Sequence, residues 1–163
     1  MKVGLMADTH DRLDAIEKAV DLFNSLGVEQ VLHAGDLVSP FVVPRLARLK
    51  AGLTLVWGNN DGDRVLVSKR MAEHGMELAG DFAFLNLGGR RIALLHGTDE
   101  RMVKALAASG EFEVLVRGHT HQASIVRGPC LIVNPGEVCG YLTGRKTVAV
   151  LDLTSLTAEI LEI

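Results

Sequence analysis

Five short apolar runs, each ending in a polar cluster, constrain the fold of this chain more than any other feature. They are KVGLMA before Asp8, QVLHA before Gly35-Asp36, LTLVW before Gly58-Asn59, RIALL before His96 and FEVLV before Gly118-His119. Runs of this length, rich in Val, Leu and Ile, read as strands buried on both faces. Helical spacing recurs between the first of them. Arg12 to Leu26 carries Leu13, Ile16, Val20 and Phe23 at intervals of three or four, and Gly27 supplies a stop. Pro40 to Lys50 and Arg64 to Glu73 read the same way, with Ser39 and Asp63 as caps. The front half is therefore β-α-β-α-β.

From Asp81 the pattern changes. FAFLNL, Gly88-Gly89 and RRIALL in succession form a hairpin signature, because paired glycines supply the positive φ angles of a tight turn. One more helix is expected over Glu100 to Ala108. Strands follow at Glu113–Val116, Ala123–Arg127, Cys130–Val133, Lys146–Leu151 and Leu156–Leu161, with turns at Gly128-Pro129, Asn134-Pro135-Gly136 and Thr154-Ser155. There is no linker or internal repeat, and 163 residues suit one domain spanning 1–163. The architecture expected is α/β, with two mixed sheets packed face to face and helices outside.

The polar clusters carry the chemistry. In open α/β sheets, ligand sites form beyond the carboxyl ends of strands, and every run here ends in such residues. Asp8 and His10 are two apart, so a strand continuing through them would turn both to one side; His119 and His121 repeat the spacing. With Asp36, Asn59 and His96 they make two carboxylates, one carboxamide and four imidazoles. A turn has no need of four histidines. Such nitrogen and oxygen donors suit Mn²⁺, Fe²⁺, Ni²⁺, Co²⁺ or Zn²⁺. Seven donors exceed the needs of one ion but fit two, about 3.5–4 Å apart with a shared carboxylate. His33 reads as a satisfied loop histidine and His74 as a cation at a helix end.

These blocks, Asp8-Thr9-His10, Gly35-Asp36, Gly58-Asn59-Asn60-Asp61, His96-Gly97 and Gly118-His119-Thr120-His121, resemble in order the motif set of the calcineurin-like metallophosphoesterases. The later strands with Asn134-Pro135-Gly136 are similar to the small single-domain phosphodiesterase branch. The resemblance implies a four-layer αββα sandwich with a dinuclear site. Asp8, His10 and His121 would hold one ion, Asn59, His96 and His119 the other, and Asp36 would bridge them; manganese or nickel is favoured. It implies hydrolysis of a small phosphodiester by in-line attack of a water held between the ions. Asp36, Asn59, Asn60 and His96 stand nearest that chemistry. The chain departs from the family at two places. Asp11 stands where Gly is usual, and Asn60 where many members carry a His that assists the leaving group. Asn60 can donate a hydrogen bond to a phosphoryl oxygen but cannot protonate an alcohol.

Composition excludes other classes. A net charge of −3 with scattered basic residues leaves no electrostatic stripe for extended nucleic acid. No run approaches the length of a membrane span, and the N-terminus lacks the pattern of a signal peptide. A cytoplasmic location is expected, with Cys130 and Cys139 as buried free thiols. A homo-oligomer is left open. Two other functions fit the same resemblance: a non-catalytic scaffold, as in the retromer coat, and a nuclease.

Overall fold

In the computed structural model, which describes residues 1–163, each of the five runs is a strand that stops short of its polar cluster. In chain order the elements are β1 (Lys2–Met6), α1 (Leu13–Leu26), β2 (Gln30–His33), α2 (Val43–Leu46), β3 (Gly52–Leu55), α3 (Arg64–Glu73), β4 (Glu77–Leu78) and β5 (Phe82–Leu87). Then come β6 (Arg90–Leu95), α4 (Glu100–Ala108), β7 (Val114–Val116), β8 (Ser124–Val126), β9 (Leu131–Asn134), β10 (Thr147–Asp152) and β11 (Thr157–Glu162). One sheet has the order β11-β10-β1-β2-β3-β4, the other β5-β6-β7-β9-β8. β1 to β4 run parallel to one another, as do β6, β7 and β9, with antiparallel strands at the margins.

Strand periodicity sorts the apolar side chains into layers. Val3, Leu5 and Ala7 of the β1 segment meet Ile92 and Leu94 of β6 and Val114 and Val116 of β7 in the core between the sheets. Met6, Val31, Leu53 and Leu55 face the other way, onto Ile16, Val20 and Phe23 of α1 and Val67 and Met71 of α3. Ala93, Leu95 and Leu115 pack outward on Val103 of α4. Strands apolar on both faces are thus explained by a helix layer, two sheets and a second helix layer. Gly4 at the centre of β1 admits α1: a Cβ there would lie 2.9 Å from the Phe23 ring, which is fully buried against it.

The hairpin forms as expected, with Leu87 opposite Arg90 and both intervening glycines at positive φ. Gly27 ends α1 in the left-handed conformation, and Asp63 caps α3 by accepting from the Leu66 N–H at 3.2 Å. The expected helix Pro40–Lys50 shrinks to the single turn of α2, and Ser39 does not cap it, Val42 standing at that position. The reason lies on α1. The Asn24 amide takes the Arg48 carbonyl at 2.9 Å and the Lys50 N–H at 2.8 Å, satisfying backbone groups that a helix would otherwise pair. β4 carries no apolar run in the sequence; it has two residues, paired with β3 beside a Thr54–Glu77 side-chain hydrogen bond of 2.8 Å. No helix is long and apolar enough to cross a membrane.

Candidate metal centre

The strands do not run through the site residues. β1 ends at Met6, and Asp8, His10, Asp36, His119 and His121 all lie at positive φ, between 39° and 70°. Side-chain alternation therefore does not pair Asp8 with His10 or His119 with His121. Tight left-handed turns present them. A non-glycine residue in this region costs about 1–2 kcal/mol and persists only where its surroundings fix it. Backbone bonds between loops do so here: Asp8 N–H donates to Gly35 O (3.0 Å), His10 N–H to Asp36 O (3.0 Å), Gly118 N–H to His96 O (3.1 Å) and Cys139 N–H to Asp8 O (3.1 Å).

These turns bring all seven residues together. The ligand atoms of Asp8, His10 and Asp36 lie within 4.8 Å of one another. His121 Nε2 is 3.4 Å from Asp8 Oδ1, and Asp36 Oδ2 is 3.4 Å from both His10 Nε2 and His96 Nε2. On the far side of Asp36, Asn59 Oδ1 meets His96 Nε2 at 2.9 Å and His119 Nδ1 at 3.0 Å. Asp36 thus lies between a group of Asp8, His10 and His121 and a group of Asn59, His96 and His119. Asp8, Asp36, His96 and His121 form a buried floor, while Asn59 and Asn60 are exposed at the rim.

The arrangement fits cations. His96 Nδ1 faces the Ala34 carbonyl at 2.7 Å and His121 Nδ1 faces the Glu137 carboxylate at 2.6 Å, both acceptors only, so each Nδ1 carries the proton. Each Nε2 then turns a lone pair toward oxygens that also only accept. Asp8 Oδ1 and His10 Nε2 are buried without any hydrogen-bond partner. Lone pairs meeting lone pairs in a buried site call for a positive charge among them. Nearest-neighbour spacings of about 3 Å are those of donors sharing an ion with bonds of roughly 2.1 Å.

The family model for the calcineurin-like phosphoesterase superfamily domain matches residues 1–156. This chain belongs to that superfamily. It is 38% identical to a phosphodiesterase of Methanocaldococcus jannaschii over 93% of each chain. It is 33% identical to a probable metallophosphoesterase of Methanothermobacter thermautotrophicus, covering 99% of this chain and 92% of that one. The solved structure of an archaeal phosphodiesterase superposes over the full length of both chains with a TM-score of 0.96 at 35% identity. The αββα layering is that of the superfamily, which uses divalent metal ions.

Electrostatics in this phosphoesterase-family site follow burial and pairing. Burial pushes the Asp8 carboxyl up to about 6, against the pull of His96 and His121. Burial also acts on Asp36, but the His96 imidazole beside it and hydrogen bonds from Asn60 outweigh it and hold this carboxyl well below the usual range. His10 and His119 are pushed down by burial. His96 is driven down by burial and up by Asp36 and the Ala34 carbonyl, and ends raised. A thiol also lies against the site. Cys139 Sγ lies near His10 and His121, but burial pushes its thiol up to about 12 and it donates to Glu137.

Several residues that hold this site are not apparent as such in the sequence. Asp61 accepts from the N–H groups of Gly58 (2.6 Å), Val38 (2.8 Å) and Asp36 (3.1 Å), fastening two ligand loops together. Fully buried Glu137 takes His121 Nδ1, Cys139 Sγ, the N–H groups of Tyr141, Leu142 and Thr143, and the Thr143 hydroxyl. Asn134 in the Asn134-Pro135-Gly136 turn donates to Gly118 O (3.1 Å) and Thr120 Oγ1 (2.9 Å), holding the His119–His121 loop. His33 is no loop residue. It ends β2, fully buried, with one ring nitrogen on Thr9 Oγ1 (3.1 Å) and the other accepting from Gly35 N–H (3.1 Å). Asn60 turns toward Asp36, its backbone N–H and side-chain amide donating to Oδ1 (2.8 Å) and Oδ2 (2.7 Å).

Proposed function

We propose that this chain is a dinuclear metal-dependent phosphodiesterase acting on small phosphodiesters. The observation that carries the reading is the convergence of seven oxygen and nitrogen donors whose lone pairs face one another, two of them buried without partners. Asp8, His10 and His121 would hold one ion, Asn59, His96 and His119 the other, with Asp36 shared. The donor set, free of thiolate, favours manganese or nickel. When bound, such ions supply Lewis acidity that neutralises phosphoryl oxygens and makes water a competent nucleophile near neutral pH.

The chain's own groups prepare that chemistry. Glu137 and Ala34 fix the tautomers of His121 and His96, so that each presents Nε2. Asn60 neutralises part of the Asp36 charge and orients both carboxylate oxygens. Hydrolysis converts a diester and water into a monoester and an alcohol. Asn60 cannot give the departing oxygen a proton, so acidic alcohols should leave fastest. A cytoplasmic site of action belongs to the same reading, since both cysteines are free and buried. Bis(p-nitrophenyl) phosphate hydrolysis tests it. Activity should vanish on chelation, return with Mn²⁺ or Ni²⁺, and stay absent in Asp36→Ala; chelator-insensitive turnover, or none with any metal, contradicts it.

A further inference from the structure

Beside the centre a cleft of about 460 Å³ opens directly on Asn59 and His96. This lies within the range of about 300–1,000 Å³ typical of small-molecule sites. Its walls come from three places: Trp57 and Arg64 near β3 and α3, Phe82 and Leu95 of the β5–β6 hairpin, and Met102 of α4. Phe82 and Met102 are 39% and 56% exposed, so two large apolar side chains stand open to solvent at the edge of a polar site. Single exposed apolar residues need no account, but two facing one cleft next to reactive groups do.

The charged groups of the cleft have partners within the chain. Arg64 donates to Gly58 O at 3.2 Å, pairs with Asp81 at 3.6 Å, and lies 5.0 Å over the Trp57 ring. Asp99 is taken by the backbone and guanidinium of Arg101 at 2.8–3.1 Å. The lining thus sets one cation, Arg64, against two carboxylates, Asp81 and Asp99, a balance that does not favour a second phosphate. What the cleft offers is hydrocarbon, a thioether sulfur and aromatic edges, which match a neutral apolar or aromatic group.

We infer that this cleft is the subsite for one ester arm of the substrate, and that it selects a neutral arm with an apolar or aromatic face over a charged one. The inference rests on the phosphodiesterase reading and names the substrate class that reading leaves open. A phosphoryl group held at Asn59 and His96 places an arm on that side against Met102 and Phe82, whichever of the two arms departs.

The test compares Met102→Ser and Phe82→Ser with the parent protein in Mn²⁺. KM for bis(p-nitrophenyl) phosphate should rise about tenfold, as expected for loss of one apolar wall. The inhibition constant of inorganic phosphate, which has no arm, should move less than twofold. An unchanged KM in both variants overturns the subsite, as does a parallel rise of KM and the phosphate constant. Absence of turnover in the parent protein counts against the phosphodiesterase reading instead. Calorimetric binding of diphenyl phosphate to Mn²⁺-loaded protein then decides the subsite: a tenfold loss in the variants supports it, and equal or absent binding overturns it.

Discussion

Replacing Glu137 by Gln removes one charge without changing shape, and the structure sets the cost. Oε2 accepts from His121 Nδ1 at 2.6 Å and Tyr141 N–H at 3.0 Å; Oε1 accepts from Thr143 N–H at 2.5 Å and Leu142 N–H at 3.0 Å. With the new amide nitrogen at Oε2, His121 Nδ1–H and Tyr141 N–H meet another donor; at Oε1, Thr143 N–H does and Leu142 N–H is left with Oε2 at 3.2 Å alone, so a pair of donors is disturbed either way. The Thr143 hydroxyl and Cys139 thiol can rotate away, so they are not counted. A buried donor left unsatisfied costs about 1–3 kcal/mol, so the pair should cost roughly 3–4 kcal/mol. At ~2–4 °C per kcal/mol for a domain of this size, the melting temperature should fall by about 10 °C. Because the carboxylate also orients His121, metal affinity or activity should fall about 10–100-fold. Thermal unfolding of the metal-free protein and Mn²⁺-dependent diesterase rates would measure both. A melting temperature within 2 °C of the parent, with unchanged activity, would refute the claim that this carboxylate fastens the 139–145 loop to the site.

Two further outcomes follow from the same geometry. Hydrogen bonds overcome the upward push of burial and hold Glu137 at about 2, below its ordinary 4.5, so its contribution is present above pH 4.5 and is lost as pH falls from there toward 2; denaturation midpoints of Glu137→Gln should vary less over that window than those of the parent. A Cβ on Gly58 would lie 2.1 Å from Asp36 Oδ1 and 2.5 Å from Asp36 N, so Gly58→Ala should displace the shared carboxylate and lower diesterase kcat/KM more than about 100-fold, with overpacking costing only ~1–3 kcal/mol of stability.

What the sequence made legible was local and periodic. The strands stand out because burial on both faces demands solid apolar runs, and the hairpin because Gly88-Gly89 fits one turn type. The seven donors stand out because imidazoles at strand ends have no packing reason to recur. The features hidden from the sequence are of tertiary origin. α2 is short because Asn24, far away in sequence, captures its backbone groups. The left-handed turns at Asp8, His10, His119 and His121 use no glycine at those positions, so nothing local announced them. Asp61 is visible inside Gly58-Asn59-Asn60-Asp61 but nothing in the sequence gives it a role, and only the fold shows its oxygens on three backbone N–H groups. Glu137 follows a turn signature that pointed to Asn134, Pro135 and Gly136 alone. An acidic residue in an otherwise apolar Gly136–Cys139 stretch was the available clue.

The central claim is that seven side chains from separate loops share a pair of cations. Equilibrium dialysis of the purified chain against Mn²⁺, with elemental analysis of the retained metal, tests it directly. The account predicts close to two ions per chain; a folded chain that retains none, or saturates at one, contradicts it.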